Sequence, residues 1–566
     1  MQLKHLLAGL CCLLVLCTAH AQDNPPAYIR SAAFDEPESG SGRLLMMSNG
    51  NTLFFHFTEK KGIDVTVYDE KHRVKTKMNN RVSSWKQKKM RRAQMKGFYE
   101  INGEAVVFMM YVKSRKPVLY RLHFDAKTGR KTKELAVADL PRIGLGMGYG
   151  MAFGGLSIPD FTISKDPRSG YYAIGLFNSL SSDRNARIEV RHFSPEHKMI
   201  NRAYYGSPKG KYKYLQLLDM HVDKDQFVFL GGYAYNTKAS GGEDSRILLG
   251  SLSKGEKEFE TKVLDYTDDY KRVRTAIRQR QEDGLLYFLT AVDAESVGRK
   301  PLMDKGKKTT GYALEMHIID PASLDVKKHY FLEHPQLTKY AADRLKLKRQ
   351  YFGVIQDFRL NRDSTITYMF EELDNYTTTS VSTTTTNGRT STSTRSRYFT
   401  DLGAIGVMNA NLDGKELRGY AIAKNQTVET TLDMFEVNTR RLSNWNFRAK
   451  AGFKNISGFY SYDYLLANGR DYVIYNDYPK NTDAASETSK SKKTVRYISD
   501  ANTIYAYFDG KSMVKSYLFG EPKNKSESRF CQLEMNTWSE DEKTLATMMI
   551  EKRGRDKKAY IVWMNF

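Results

Sequence analysis

The amino-acid sequence predicts an all-β protein, a β-propeller of seven or eight four-stranded blades. One observation is a strand pattern that returns about eight times along the chain. The others are the composition, with 36 Tyr, 28 Phe and only 14 Pro, and the short polar turns between apolar runs. Aromatic and β-branched residues favour strands, and a strand unit repeated around a circle is typical of propellers.

The clearest part of each unit is its second strand, which is apolar nearly throughout. Examples are Thr52–Thr58, Ala105–Val112, Gln226–Tyr235, Leu285–Val292 and Thr365–Phe370. A strand that is apolar on both faces is expected where each sheet packs between two neighbours. The seven complete units predicted in this way span residues 43–80, 97–140, 155–206, 213–266, 272–333, 351–425 and 455–520.

The last unit is incomplete. It contains three strands, near Phe530–Glu534, Thr544–Glu551 and Ala559–Phe566. We expect Ala27–Phe34 to supply the fourth strand, because pairing of the two chain ends closes the ring and removes exposed sheet edges. Residues 22–566 are therefore predicted to form a single domain.

One acidic residue recurs at the first strand of four units. These residues are Asp160, Asp219, Asp357 and Asp463, each followed by an alternating strand. A side chain that is required at the same place in several repeats indicates a repeated hydrogen-bonding role rather than catalysis.

Two polar inserts and two connectors interrupt the units. Thr377–Arg397 is almost entirely Ser and Thr, so it cannot bury a core and is predicted to be a mobile surface excursion. Residues 480–493 form a second polar insert. The connectors Trp85–Lys96 and Pro335–Arg349 are basic and are predicted to be helical or irregular.

The N-terminus predicts export. Residues 1–21 have a basic start, a short apolar core and a small-x-small site before cleavage between Ala21 and Gln22. Lipid attachment at Cys17 is the alternative, but Leu16 is bulky for such a site. We expect an exported monomer in the periplasm, at the cell surface or outside a Gram-negative cell. Cleavage would leave Cys531 as the one cysteine, hence no internal disulfide, and no transmembrane helix is expected.

The sixth unit carries a resemblance. It contains Asp357-Phe358, a strand ending in Glu371-Glu372, the Ser/Thr-rich insert, an Asp413-Gly414-Lys415 turn and Lys424-Asn425-Gln426. Over about 75 residues this pattern resembles secreted propeller-like proteins of the Bacteroidota. It departs from them after the turn, where Leu417, Arg418 and Gly419 precede the aromatic Tyr420. The resemblance implies a propeller and an exported bacterial protein, and it implies no activity.

The formal net charge of +23 favours contact with anionic surfaces. The partners we expect are an anionic glycan, lipopolysaccharide or an envelope protein, and nucleic acid is excluded by export. The densest basic segment contains the candidate polyanion-binding residues Lys86, Lys88, Lys89, Arg91, Arg92 and Lys96, although a solvated connector would have the same composition. Ser364, in Asp363-Ser364-Thr365, matches a short O-glycosylation pattern.

No catalytic, cofactor or metal motif is present in the predicted mature sequence. His221, Asp223 and Asp225 alternate as metal ligands would, but a strand that runs into a turn has the same pattern. The sequence predicts a non-enzymatic binding or scaffold propeller without a cofactor. One alternative is a propeller-type glycan hydrolase or lyase with acidic residues at the central funnel, and another is an outer-membrane-associated β protein. A converging trio of carboxylates, or a carboxylate pair with a histidine, at one end of the channel would favour the hydrolase or lyase. An uncharged or basic funnel would favour binding.

Overall fold

The structure is a computed structural model. It describes residues 26–37, 40–58, 60–144, 159–207, 211–236, 244–264, 273–304, 311–387, 389–435, 461–467, 469–482, 492–496, 498–524, 526–539 and 541–566. The signal segment, the cleavage site at Ala21 and Gln22, and most of the polar insert 480–493 lie outside these residues and stay predictions. Among the described residues, no helix combines the length and apolar character needed to cross a bilayer.

The described strands form eight antiparallel sheets, which we call blades 1 to 8 in chain order. After β1 (Tyr28–Arg30), blade 1 contains β2 (Ser41–Met46), β3 (Thr52–Phe57), β4 (Ile63–Tyr68) and β5 (Val74–Asn80). Blade 2 contains β6 (Gln94–Ile101), β7 (Glu104–Lys113), β8 (Lys116–Asp125) and β9 (Lys131–Asp139). Blade 3 contains β10 (Asp160–Lys165), β11 (Tyr172–Phe177), β12 (Ile188–Phe193) and β13 (Met199–Tyr205).

The next three blades repeat this order. Blade 4 contains β14 (Tyr214–Asp223), β15 (Phe227–Tyr235), β16 (Ser245–Ser253) and β17 (Glu260–Leu264). Blade 5 contains β18 (Arg274–Gln279), β19 (Leu286–Asp293), β20 (Tyr312–Ile319) and β21 (Val326–Phe331). Blade 6 contains β22 (Val354–Leu360), β23 (Thr365–Thr386), β24 (Arg389–Asn411) and β25 (Glu416–Ile422), and the short β26 (Gln426–Val428) pairs with β24.

The last two blades complete the chain. Blade 7 contains β27 (Tyr462–Ala467), β28 (Arg470–Asp477), β29 (Asn502–Phe508) and β30 (Met513–Tyr517). Blade 8 contains β31 (Glu527–Cys531), β32 (Thr537–Trp538), β33 (Thr544–Arg553) and β34 (Asp556–Asn565). The predicted all-β propeller of seven or eight blades is thus confirmed, with eight sheets whose limits lie close to the predicted units.

The N-terminal strand pairs with the C-terminal strand. Tyr28 lies opposite Met564 and Arg30 opposite Val562, and Phe34 bridges to Ala559. Blade 8 also packs against blade 1, where the Trp563 indole donates a hydrogen bond to the Thr52 hydroxyl at 2.9 Å. The chain ends therefore meet as the sequence predicts.

The cores lie between blades. In β19 every residue is buried, because the strand packs on blade 4 with one face and on blade 6 with the other. Glycines allow the close approach of large rings across these contacts. A Cβ on Gly250 would lie 2.5 Å from the ring of Tyr205, and one on Gly232 would lie 2.8 Å from it. Tyr205 of blade 3 therefore packs against blade 4 at two glycines, Gly232 and Gly250, whose lack of a side chain leaves room for its ring.

Two helices occur in the described chain. α1 (Pro335–Leu345) starts with proline and buries Leu337, Ala341 and Leu345 on one face. The Glu416 carboxylate accepts the N–H groups of Gln336 and Leu337 at 2.6 and 2.9 Å, so it caps the helix from blade 6. α2 (Pro479–Thr482) is a single turn, and 3₁₀ turns occur at Gln87–Arg92, Arg184–Ala186, Glu295–Val297, Ile498–Asp500 and Leu533–Met535.

The Ser/Thr-rich insert differs from its prediction. Residues 377–386 and 389–397 continue β23 and β24 as a regular antiparallel hairpin, which we call the arm. Its described side chains are exposed, as expected for a segment without a core. The backbone is nevertheless extended, because threonine is β-branched and the two strands satisfy each other's hydrogen bonds.

Candidate functional site on the inner strands

In blades 2 to 6 the first strands of neighbouring blades lie against one another, so they are the innermost strands. The four recurrent aspartates lie on first strands, those of blades 3, 4, 6 and 7. In each, Oδ1 accepts the N–H of the following residue, at 2.8 Å for Asp160 and Asp357, 2.9 Å for Asp219 and 3.0 Å for Asp463. Asp219 and Asp357 directly follow a break in strand register, where a backbone N–H needs such an acceptor.

The same aspartates connect neighbouring blades. The Lys96 ammonium lies 2.5 Å from Asp160, and the Ile277 N–H donates to Asp219 Oδ2 at 2.8 Å. The Asn536 amide donates to Asp463 Oδ2 at 3.0 Å. The predicted structural hydrogen-bonding role is thus confirmed by these contacts. Whether some of these residues also carry out chemistry depends on their exposure and charge.

Asp219, Arg278 and Asp357 form a cluster, which we call the inner trio. Arg278 Nη2 lies 3.0 Å from Asp357, and its Nη1 lies 3.8 Å from Asp219. Solvent reaches all three side chains, which are 28%, 32% and 24% exposed for Asp219, Arg278 and Asp357. Because both carboxylates contact one planar guanidinium, their nearest oxygens lie less than about 9 Å apart.

Two members of the inner trio, Asp219 and Arg278, have shifted pKa values. Burial raises the pKa of the Asp219 carboxyl above its ordinary value, although Arg278 and two backbone N–H groups lower it. The nearby Asp357 charge raises it further. For Arg278 burial lowers the pKa of the guanidinium, but the two carboxylates outweigh burial and raise it overall. Each side chain is closely surrounded by protein and still open to water on one side, as expected in a narrow channel.

His221 lies two residues after Asp219 on the same side of β14. Its side chain is buried, and its Nε2 has no hydrogen-bond partner among the described residues. Burial and the Arg278 charge lower the pKa of this imidazole to about 4. His221 is therefore neutral at physiological pH.

The alternating His221, Asp223 and Asp225 do not form one site. Asp223 binds the Gln279 amide at 3.0 Å and lies 3.5 Å from Arg168. Asp225 belongs to the following turn and pairs with Lys254 at 2.5 Å. The carboxylates are engaged by different blades, so the segment is the ordinary strand end that the sequence also allowed.

A second cluster lies between blades 2 and 3. Glu104 is 2.9 Å from His123 Nδ1, and His197 Nδ1 is 3.1 Å from the Tyr172 hydroxyl. The three side chains Glu104, His123 and His197 have the spacing of metal ligands. However, Arg121 Nε donates to His123 Nε2 at 3.0 Å and its guanidinium also contacts Tyr172. A metal on His123 Nδ1 would place a proton on Nε2, facing this donor, so the cluster fits a hydrogen-bond network better than a metal.

One of the predicted polyanion-binding residues, Lys96, lies apart from the other five. Lys86 and Arg92 are exposed and Lys89 is half-buried. Lys96 instead lies on β6 and pairs with Asp160, so its charge is already neutralised. The backbone of Lys88 and Arg91 lies in the 3₁₀ turn. Ser364 lies in an exposed turn with φ +61°, and its hydroxyl accepts a hydrogen bond from Arg280 at 2.9 Å. Polyanion binding and O-glycosylation stay predictions.

Sequence reasoning missed Arg278. The signal was present, since three arginines, Arg274, Arg278 and Arg280, lie in or directly after the inner strand of unit five. Arg278 lies on the first strand of unit five, and units three, four, six and seven have their aspartate on the first strand. Only the arrangement around the channel brings Arg278 between the aspartates of blades 4 and 6.

The sequence matches no protein-family model and no curated protein. A prolyl endopeptidase structure is similar with 10% identity over 92% of this chain and 55% of its own, at a TM-score of 0.36. The polysaccharide lyase Uly1 is similar with 9% identity over 83% of this chain and 90% of its own, at a TM-score of 0.35. The α-L-arabinofuranosidase Arb93A from Fusarium graminearum is similar with 8% identity over 71% of this chain and 92% of its own, at a TM-score of 0.30. The chain thus spans little more than half of the prolyl endopeptidase. The fold assignment rests on the strand pairings described above, and these remote likenesses carry no functional argument.

Proposed function

We propose that the protein hydrolyses a glycan in its central channel. The observation that carries this proposal is the inner trio, two solvent-reached carboxylates from blades 4 and 6 on either side of one arginine. Glycoside hydrolysis uses two carboxyl groups about 5 to 9.5 Å apart, and the upper limit on Asp219 and Asp357 is compatible with that range.

The two carboxyl groups have different roles in this proposal. Asp219 has the raised pKa and is the proton donor to the glycosidic oxygen as the C–O bond breaks. Asp357 pairs with Arg278 Nη2 at 3.0 Å and, as the base of the pair, accepts the proton of the water that attacks the anomeric carbon. His221 follows Asp219 on the same side of β14, but its side chain is buried, so it has no role in this proposal.

Three matched variants test this role. Asp219→Asn and Asp357→Asn should each reduce sugar release from a panel of polysaccharides by about 10²- to 10⁴-fold, as expected for loss of a general acid or base. Asp160→Asn is the control, since Asp160 occupies the same place in blade 3 but pairs with Lys96. It should retain activity within a few-fold when compared at equal folded concentration.

Reducing-end release is the measurement. Wild-type protein that releases no sugar from any polysaccharide of the panel would refute hydrolysis. So would Asp219→Asn protein that is as active as wild type. Wild-type protein that binds a polysaccharide without cleaving it would instead support the binding scaffold predicted from the sequence.

A further inference from the structure

The two faces of the arm differ in charge. Because side chains alternate along a strand, residues paired across the hairpin share a face. One face contains Tyr376 opposite Phe399, Thr378 opposite Arg397 and Ser380 opposite Arg395. The other face contains threonines, serines, Val381 and Tyr398. The charges of Arg395 and Arg397 therefore point to the same side of the arm.

The charge of this face is not balanced by the arm itself. Residues 377–397 contain three arginines and no Asp or Glu. Arg397 is 46% exposed and forms a long ion pair with Glu429, whose carboxylate lies 3.8 Å from its Nε. Arg395 has no ion pair among the described residues. Two arginines about 7 Å apart on one strand thus present fork-shaped donors to solvent.

The base of the arm provides a groove. A cavity of about 430 Å³ is lined by Arg395, Ser396, Arg397, Tyr398, Glu429, Thr430 and Thr431. Tyr398 is 58% exposed and lies on the face without arginines. Tyr376 and Phe399 lie on the arginine face, where their rings stack with centroids 5.5 Å apart. Arginine and hydroxyl groups donate hydrogen bonds to the anionic group of an acidic sugar, and the rings of Tyr376 and Phe399 on the arginine face offer apolar contact to the sugar ring.

The arm is held in place although it has no core. β26 pairs with β24 at its base, where Thr400 lies opposite Val428 and Thr427 donates to the Asp401 carboxylate at 2.6 Å. Further out, Thr385 and Thr390 hydroxyls meet across the strands at 3.2 Å. The arginines are thus presented on a paired backbone, so little order has to be gained when a ligand binds.

We propose that the arginine face of the arm binds an anionic polysaccharide, through its carboxylate or sulfate groups. This binding goes beyond the proposed hydrolysis and does not depend on it, because the arm and the inner trio are separate parts of blade 6 and its neighbours.

The test compares Arg395→Ser/Arg397→Ser with Lys75→Ser/Lys77→Ser in the full chain. Lys75 and Lys77 are two exposed cations with the same spacing on the outer strand β5. Heparin represents sulfated chains, polygalacturonate carboxylated chains and dextran neutral ones. We expect the arginine variant to lose at least about tenfold in affinity for one or both anionic chains at low salt, with a smaller salt dependence. The lysine variant should change less than about twofold.

Each result of this test is decisive. Loss with heparin alone or polygalacturonate alone identifies the anionic group, and loss with both shows that charge suffices. Equal loss in both variants, or binding of dextran as strong as that of the anionic chains, would overturn the proposal. Asp219→Asn protein should bind the anionic chain like wild type. If Asp219→Asn protein binds but does not cleave, and the arginine variant does not bind, then hydrolysis and binding by the arm depend on different residues.

Discussion

The two halves of β23 lie in contrasting surroundings. Its first half, Thr365–Leu373, is buried in blade 6, whereas its second half in the arm is fully exposed. Phe370 has no exposed surface and Val381 is 64% exposed. The backbone pairing with β24 is continuous through both halves apart from one shift of register after Glu371. The comparison teaches that strand pairing does not require a core, but that stability does, because burial of a large apolar side chain contributes about 1.5–3 kcal/mol.

The largest change in stability is expected at the buried half of β23. Glu371 at the end of the buried half accepts from the Lys424 ammonium at 2.8 Å, and neither side chain is exposed. Lys424→Met should lower the free energy of unfolding by about 3–5 kcal/mol, since it leaves a carboxylate buried without its cation. Guanidinium-induced unfolding, followed by tryptophan fluorescence, measures this change.

The double variant Lys424→Met/Glu371→Leu is the control. Removing both charges should recover most of the lost stability, because two apolar side chains of similar size need no partner. A single variant that loses less than about 1 kcal/mol would mean that water reaches the pair in solution. Then the buried half of β23 would be less isolated than its contacts indicate.

The second effect is a loss of stability in acid, which should come from the blades and not from the arm. Burial lowers the pKa of His221 and of His334 to about 4. In the folded protein these imidazoles stay neutral, whereas the unfolded chain takes up protons below the ordinary value of about 6.5. Their contribution is therefore complete above about pH 6.5 and is lost as the pH falls towards 4, by on the order of 3 kcal/mol for each group.

Unfolding free energies between pH 7 and 4 measure this loss. His334→Gln and His221→Gln should each reduce the slope of stability against pH. A variant without the arm should keep the wild-type slope, because residues 377–397 contain no Asp, Glu or His. An unchanged slope in both glutamine variants would show that the carboxyl groups alone determine the acid response.

The contrast also shows what sequence reasoning reaches. The eight strand units and the structural role of the aspartates follow from repetition, since a repeated backbone needs the same side chains. The hairpin of the arm was predictable as well. Asn387-Gly388 between two threonine runs is a strong hairpin signal, and Asn387 has φ +51°. The insert was predicted to be mobile because it has almost no apolar residues to form a core, and the Asn-Gly turn signal was not taken into account.

The inner trio and the Lys424 pair could not be predicted from the sequence. Arg278 meets Asp357 from a position 79 residues earlier in the chain, and Lys424 meets Glu371 from another strand of the same blade. Such contacts depend on how blades are rotated and spaced around the channel, which local patterns do not determine. Sequence patterns therefore predict the elements, and the charged contacts between them require the assembled fold.

The smallest expected effect is that of removing the arm. Replacement of Thr378–Arg397 by Asn-Gly leaves the paired Thr377 and Tyr398 on either side of a two-residue turn, the geometry that such hairpins favour. The unfolding free energy should change by less than about 1 kcal/mol, because the deleted side chains bury no apolar surface in the blades. Calorimetry on both proteins measures it. A loss of several kcal/mol would mean that the arm supports the blade, and then the weaker binding expected of arm variants would no longer report on their arginines alone.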